Sequence, residues 1–276
     1  WAVSSLDGAY HMCSLRVDPV SGDMRAWCGT ATFDGVGNVD FDYLQNSEGF
    51  VIGPGLGGLT TYSVHADCTT TINAPPTMPF QGGILLGGDV VVVSGSTSSG
   101  EEPGVIILIR QSASASAASA SGRFTMVGLS RNGGGGFTSY TGPATFDGTD
   151  SLELAFTRNE DGTVTSDPAQ TLAYTVNPNG TMLAVRGGTA GFFGALSPAG
   201  RFGMLAGETT GSEGPQLFFM IRLSASSAPS GTGSSRLVPC SRSAAGGRSA
   251  GATSDRLLRT APARWCPQGW PTRVRR

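Results

Sequence analysis

Apolar residues along this chain come in short, alternating runs. Val39, Phe41 and Tyr43 fall on one side of an extended segment, with Asp40 and Asp42 on the other, which is the two-residue period of a strand with one buried face. Nowhere does the three-and-four spacing of an amphipathic helix persist. The pattern predicts strands near 8–16, 25–34, 37–45, 59–66, 69–74, 79–87, 89–95 and 103–110. Turn-forming clusters separate them: Pro19-Val20-Ser21-Gly22, Asp34-Gly35, Ala66-Asp67 and Gly87-Gly88. Asp-Gly supplies the positive φ that a tight hairpin demands.

The same pattern then recurs. Gly8-Ala9-Tyr10-His11-Met12 matches Gly122-Arg123-Phe124-Thr125-Met126, and Ala31-Thr32-Phe33-Asp34-Gly35 matches Ala144-Thr145-Phe146-Asp147-Gly148. Tyr62-Ser63-Val64, Phe80-Gln81-Gly82 and Ile109-Arg110 reappear as Tyr174-Thr175-Val176, Phe192-Phe193-Gly194 and Ile221-Arg222. Five anchors in one order, at offsets of 112 to 114, define a tandem repeat. Residues 1–110 form the first unit and 122–222 the second. Between them, 111–121 is nearly pure Ser and Ala, has no apolar face and reads as a flexible linker. Turns at Asn132–Gly136, Asp147-Gly148, Asn179-Gly180 and Ala199-Gly200 repeat the hairpin signals.

About eight sequential strands per unit, joined by tight turns, predict an all-β fold of two tandem antiparallel up-and-down barrels. Closure removes the edges that eight open strands would expose. Val90–Val93, Val105–Ile109 and Leu217–Ile221 are apolar on both faces. A strand of that kind needs a cover on its outer side, and the simplest cover is the other barrel.

Composition narrows the class. Charged residues are only 14%, glycine numbers 42, and lysine is absent, so all 18 basic residues are arginine. That excludes coiled coils, helical bundles and a typical nucleic-acid binder. The longest apolar run, near Ile84–Val93, is interrupted by Gly87, Gly88 and Asp89, too short for a membrane-spanning helix. Residues 1–235 carry nine Arg against 19 Asp and Glu, a net −10, whereas 236–276 carry nine Arg against Asp255 alone, a net +8. Residues 223–276 read as a linker and a disordered basic tail, with a basic arm for anionic surfaces as the alternative.

The tail also reads as the product of a frameshift. A third unit is due where it begins. Read one base forward, the codon classes over Arg236-Leu237-Val238 permit Gly, then Leu, Ser or Trp, then Tyr or Phe. Over Arg264-Trp265-Cys266 they permit Asp-Gly followed by Ala or Val. Sequencing the coding DNA tests this.

Candidate chemistry is sparse. His11 and His65 read as structural or solvent-facing, and no convergence of ligands predicts a metal site or any other cofactor. His65, Asp67 and a serine could be drawn as a triad, but no Gly-x-Ser-x-Gly elbow is present. Asp34 and Asp147 are turn residues, with calcium in a surface turn as the alternative. The glycine run Gly133–Gly136 lacks the strand–loop–helix setting of a phosphate loop. No catalytic residue is assigned. Cys13 and Cys28 stand equidistant from the Val20-Ser21 turn, which predicts a disulfide across the hairpin and an oxidising compartment. Cys68 occupies the turn position held by Gly180 in the second unit.

Each unit opens with Gly8-Ala9-Tyr10 or Gly122-Arg123-Phe124 and ends on Arg110 or Arg222. In this it resembles the calycins, the lipocalin and avidin type of barrel. Lipocalins carry Gly-x-Trp on the first strand and an Arg on the last that packs across the Trp. The resemblance implies that Tyr10 approaches Arg110 and Phe124 approaches Arg222, closing one end of each barrel. The Phe-Asp-Gly and Tyr-Ser-Val repeats are also similar to those of β-repeat proteins secreted by bacteria, which implies a location but no activity. The expected function is a secreted or cell-surface, non-enzymatic tandem barrel binding a small apolar ligand, the lining residues being unassigned. The alternative is a structural or adhesive module with filled barrels. No secretory leader is visible at Trp1.

Overall fold

The computed structural model of the chain describes residues 1–17, 22, 24–47, 50–74, 78–95, 103–131, 136–186, 189–207 and 216–223. The turns placed at 19–21 and 132–135, and the linker and basic tail from 224 onward, lie outside the described residues.

Two closed eight-stranded antiparallel barrels follow one another along the chain. The first is built from β1 (Asp7–Val17), β2 (Met24–Asp34), β3 (Asn38–Ser47), β4 (Phe50–Val64), β5 (Thr69–Ala74), β6 (Met78–Leu85), β7 (Val90–Gly95) and β8 (Gly104–Arg110). Each strand pairs with the next. The ring closes where β8 returns to β1, Tyr10 opposite Arg110 and Arg16 opposite Gly104. Alternation sets the faces as the sequence predicts: Val39 is buried inside while Asp40 and Asp42 are exposed outside.

The second barrel comprises β9 (Gly122–Arg131), β10 (Phe137–Phe146), β11 (Ser151–Leu154), β12 (Thr157–Glu160), β13 (Thr163–Ser166), β14 (Gln170–Val176), β15 (Thr181–Arg186), β16 (Thr189–Leu196), β17 (Phe202–Gly207) and β18 (Gln216–Arg222). Its third and fourth repeat strands are each broken in two. β10 pairs with β11 near one end and with β12 near the other. β11–β14 closes the ring, and the β12–β13 hairpin prolongs its wall. The first unit keeps the corresponding strands whole. β4 begins at Phe50, upstream of its predicted start, because the glycine-rich stretch through Gly57 and Gly58 stays laddered to β3.

The Ser/Ala connector differs from the flexible segment expected. Ala117–Ala120 forms one helical turn, α1, with Ala120 fully buried. Ser112 and Ala115 donate backbone N–H groups to Asn179 and Pro178. α1 is the second-unit counterpart of the 3-10 turn Val3–Ser5, and each turn plugs the floor of its barrel. Tyr62 Oη donates to Val3 and Leu6 carbonyls at 3.0 and 2.7 Å, and Tyr174 Oη donates to Ala117 at 3.2 Å. Small side chains let this plug press against the floor, so the composition that suggested a linker serves close packing.

The outward faces of β1, β2, β7 and β8 meet those of β16, β17 and β18. Cys13, Leu15, Val90 and Ile109 pack in one cluster with Met204 and Leu217. This accounts for the strands that are apolar on both sides. Within the joint, the buried His11 donates its Nε2–H to the Asn179 carbonyl at 2.8 Å.

Cys68 holds φ +71° where its counterpart Gly180 has +93°. A left-handed conformation costs a residue with a Cβ about 1–2 kcal/mol. Cys68→Gly should therefore raise stability by about 1 kcal/mol, net of glycine's greater unfolded-chain entropy. A denaturant midpoint at or below that of the wild type would contradict this.

Candidate functional site

The two barrels share a floor and differ above it. At the floor of the first, the Arg110 guanidinium lies 4.9 Å from the Tyr10 ring centre and donates to the Asp7 and Ser5 carbonyls. At the floor of the second, Arg222 lies 5.1 Å from Phe124 and donates to the Ser119 carbonyl. Edge-to-face rings complete each floor: Tyr10–Phe33–Tyr62 in one, Phe124–Phe146–Tyr174 in the other. The residues named by the calycin resemblance are thus brought together in both units, in a structural setting.

At the opposite end of the first barrel lies a cavity of about 230 Å³, with Met12, Arg16, Trp27, Phe41, Tyr43 and Ile106 in its lining. Strand alternation puts them there. Tyr10, Met12, Ser14 and Arg16 point inward from β1, and Trp27 sits opposite Ser14 on β2. The Arg16 guanidinium stacks 3.5 Å from the Trp27 ring centre and 4.8 Å from Phe80. Trp27 stacks in turn on Tyr43, 4.8 Å between centres and 6° from parallel. Burial pushes the Tyr43 phenol up, against the pull of the Arg16 charge.

The second barrel is filled at the equivalent place. Positions related by the repeat offset exchange Arg16, Trp27, Tyr43 and Ile106 for Ser130, Tyr140, Phe156 and Phe218. Phe218 packs against Tyr140, Phe156 and Phe192 at 5.4–5.5 Å. Its ring takes the room left by Gly128, where an added Cβ would stand 2.1 Å from Phe218 Cδ1. The first unit has Ser14 and Ile106 instead. The vacant volume therefore follows from one missing ring.

The other predicted groups are dispersed. Cys13 and Cys28 are register partners with sulfurs 2.9 Å apart, present as free thiols. Hydrogen bonding to Cys28 and burial hold the Cys13 thiol well up. They face the barrel joint and not the cavity. Asp67 accepts from the Thr69 N–H and hydroxyl in a turn. Among the described residues no three His, Cys, Asp or Glu side chains gather as a metal site would require. No helix among them is long and apolar enough to cross a membrane. The chain matches no known family model and no curated protein.

Acid response follows from two sets of turns. Asp34 accepts backbone N–H bonds from Asn38, Val36 and Gly37, which hold its carboxyl at about 2. The Thr149 hydroxyl and the Thr149, Ser151 and Asp150 N–H groups do the same for Asp147, also at about 2. Both folded values lie below the ordinary ~3.9, so this stabilisation is complete above pH ~4 and is lost as pH falls towards 2. Burial also lowers His11, so its neutral form is the folded one, and its contribution fades as pH falls below ~6.5. Melting followed against pH should show two acid steps. His11→Gln should remove the upper one and Asp34→Asn should diminish the lower one. A curve unchanged by both substitutions would refute the assignment.

Proposed function

We propose that this protein is a non-enzymatic binding protein of an oxidising, extracytoplasmic compartment, whose first barrel receives a small apolar ligand. The second barrel is its filled support. The observation that carries this reading is the exchange of Phe218 for Ile106: about 230 Å³ is open in the first barrel where the second holds the ring of Phe218 packed among Tyr140, Phe156 and Phe192. An apolar cavity of 150 Å³ is enough to hold benzene.

Ser14→Gly combined with Ile106→Phe copies the second barrel's filling into the first. The double variant should melt at or above the wild-type temperature and lose the thermal shift that uncharged aromatic probes give the wild type. If no aromatic or aliphatic probe shifts the wild type, the protein is a structural module.

The compartment has its own test. In oxidising preparations Cys13 and Cys28 should pass two electrons and two protons to oxidised glutathione and become a disulfide. Closing about 15 residues contributes roughly 3 kcal/mol. Non-reducing peptide mapping should recover the linked pair, and two free thiols would count against secretion.

A further inference from the structure

We propose that the outward face of β9 and β18 pairs with the same face of a second copy of this chain, joining two chains about a two-fold axis. The pairing goes beyond the ligand-binding reading and stands independently of it.

Register defines the face. Phe124 and Met126 point into the core of the second barrel, so the odd-numbered residues of β9 point out. Val127 and Leu129 thus stand outside, opposite Phe219 and Leu217 of β18. Ile221 follows Phe219 on the same side, and Phe137 of β10 is diagonal to Leu129. Facing side chains in a sheet lie about 5 Å apart and diagonal ones about 7–8 Å, so these residues make one apolar surface. Val127 is 51% exposed, and Leu129, Phe137 and Ile221 are exposed with it. Between Arg123 and Arg131 the outward residues of β9 carry no charge, and β10 sets Thr141 and Ser139 beside them. A contiguous exposed apolar patch marks an interaction site, and this one has no charge along its middle with which to select an ionic partner.

Two observations name the occupant. The first is continuity: Leu217 and Phe219 belong to the cluster that joins the barrels, so the exposed face begins where that joint ends. The second is the repeat. The same face of the first barrel, around Cys13, Leu15 and Ile109, is buried against another barrel of this fold. The fold therefore already covers this surface with its own kind.

In a second copy, however, the answering face is taken. Ala195, Met204 and Leu217 are packed against that copy's own first barrel. Other exposed apolar residues, such as Val36, Leu59 and Val164, stand singly on separate turns or strands. Among the described residues, the face that a second copy has left to offer is the same β9–β18 surface. Like then meets like, which is the isologous contact of a two-fold dimer and is complete with two chains.

Sedimentation equilibrium of the full chain, from about 1 to 300 µM, tests the pairing. The mass should rise from the 28.2 kDa of one chain to twice that value and stop there. Val127→Arg and Val127→Asp should each weaken association at least about 10-fold, because like charges then face one another across the axis. An equimolar mixture of the two variants should recover it, since Val127 lies at the middle of the face. Leu59→Arg, on an exposed apolar residue of the first barrel, should leave association unchanged. In dilute solution, where the chain is a single copy, the Val127 variants should unfold at the wild-type denaturant midpoint, which separates lost pairing from lost folding. The mass of one chain at every concentration overturns the proposal, and is the result expected if residues beyond Leu223 cover the face instead. Growth past two copies overturns the two-fold pairing. Association lost equally in Leu59→Arg, or not recovered in the mixture, overturns the assignment to this face.

Discussion

Ile109→Asp is expected to destabilise the protein by about 4–5 kcal/mol, the largest effect of any substitution considered. Ile109 is fully buried, on the outward face of β8, in the cluster that joins the barrels. Removing its side chain alone costs about 2–5 kcal/mol. A carboxylate with no partner in an apolar joint adds a desolvation penalty, or must take up a proton to avoid it. The repeat provides a matched control. Ile221 is the same position in the second unit and is 45% exposed, so Ile221→Asp should fall within about 0.5 kcal/mol of wild type. Denaturant titration of the two variants side by side measures the difference. Equal effects would mean that the joint adds nothing to stability.

Phe218→Ala should cost about 3–5 kcal/mol. Its ring is the centre of an aromatic cluster formed with Tyr140, Phe156 and Phe192, and Gly128 is small because that ring lies over it. The backbone there cannot collapse to fill the hole, since β9 and β18 are laddered over seven residue pairs. Phe218→Ile should cost less and open a cavity like that of the first barrel. Probe binding by Phe218→Ile in an Ile106→Phe background would show that this one position decides which barrel is open. A loss for Phe218→Ala below about 1 kcal/mol would mean that the cluster is loosely packed.

Much of the fold was legible because it depends on local chemistry repeated twice. The alternation at Val39–Tyr43 set the inner face, Asp34-Gly35 and Asp147-Gly148 marked turns, and the shared anchors fixed the period. Gly35 and Gly148 do adopt positive φ, at +72° and +88°. The connector departs from its expected flexibility for a physical reason. An Ala/Ser segment has no apolar stripe, and α1 is ordered by groups remote in sequence, Tyr174 and Arg222, which donate to its carbonyls. The split of the second unit's third strand into β11 and β12 likewise depends on tertiary pairing. The cavity was the hardest to see, because it depends on which ring is missing at one inward position. The signal was present in the aligned repeats, in Ile106 against Phe218 and Ser14 against Gly128. It acquires meaning only once those positions are known to face one another across a closed ring.

The joint between the barrels has a direction. The first barrel offers β1 and β8, whereas the second answers with β16, β17 and β18. A two-fold pair buries the same patch on both partners and is thereby finished, but a head-to-tail contact is not. On the second barrel, Val127, Leu129 and Ile221 stand at the repeat positions of Cys13, Leu15 and Ile109, and all three are exposed. The unit thus carries its coupling with it, like a link whose hook is still open. In such a design, length is a property of the gene and not of the joint, and every added unit inherits the same unfinished end.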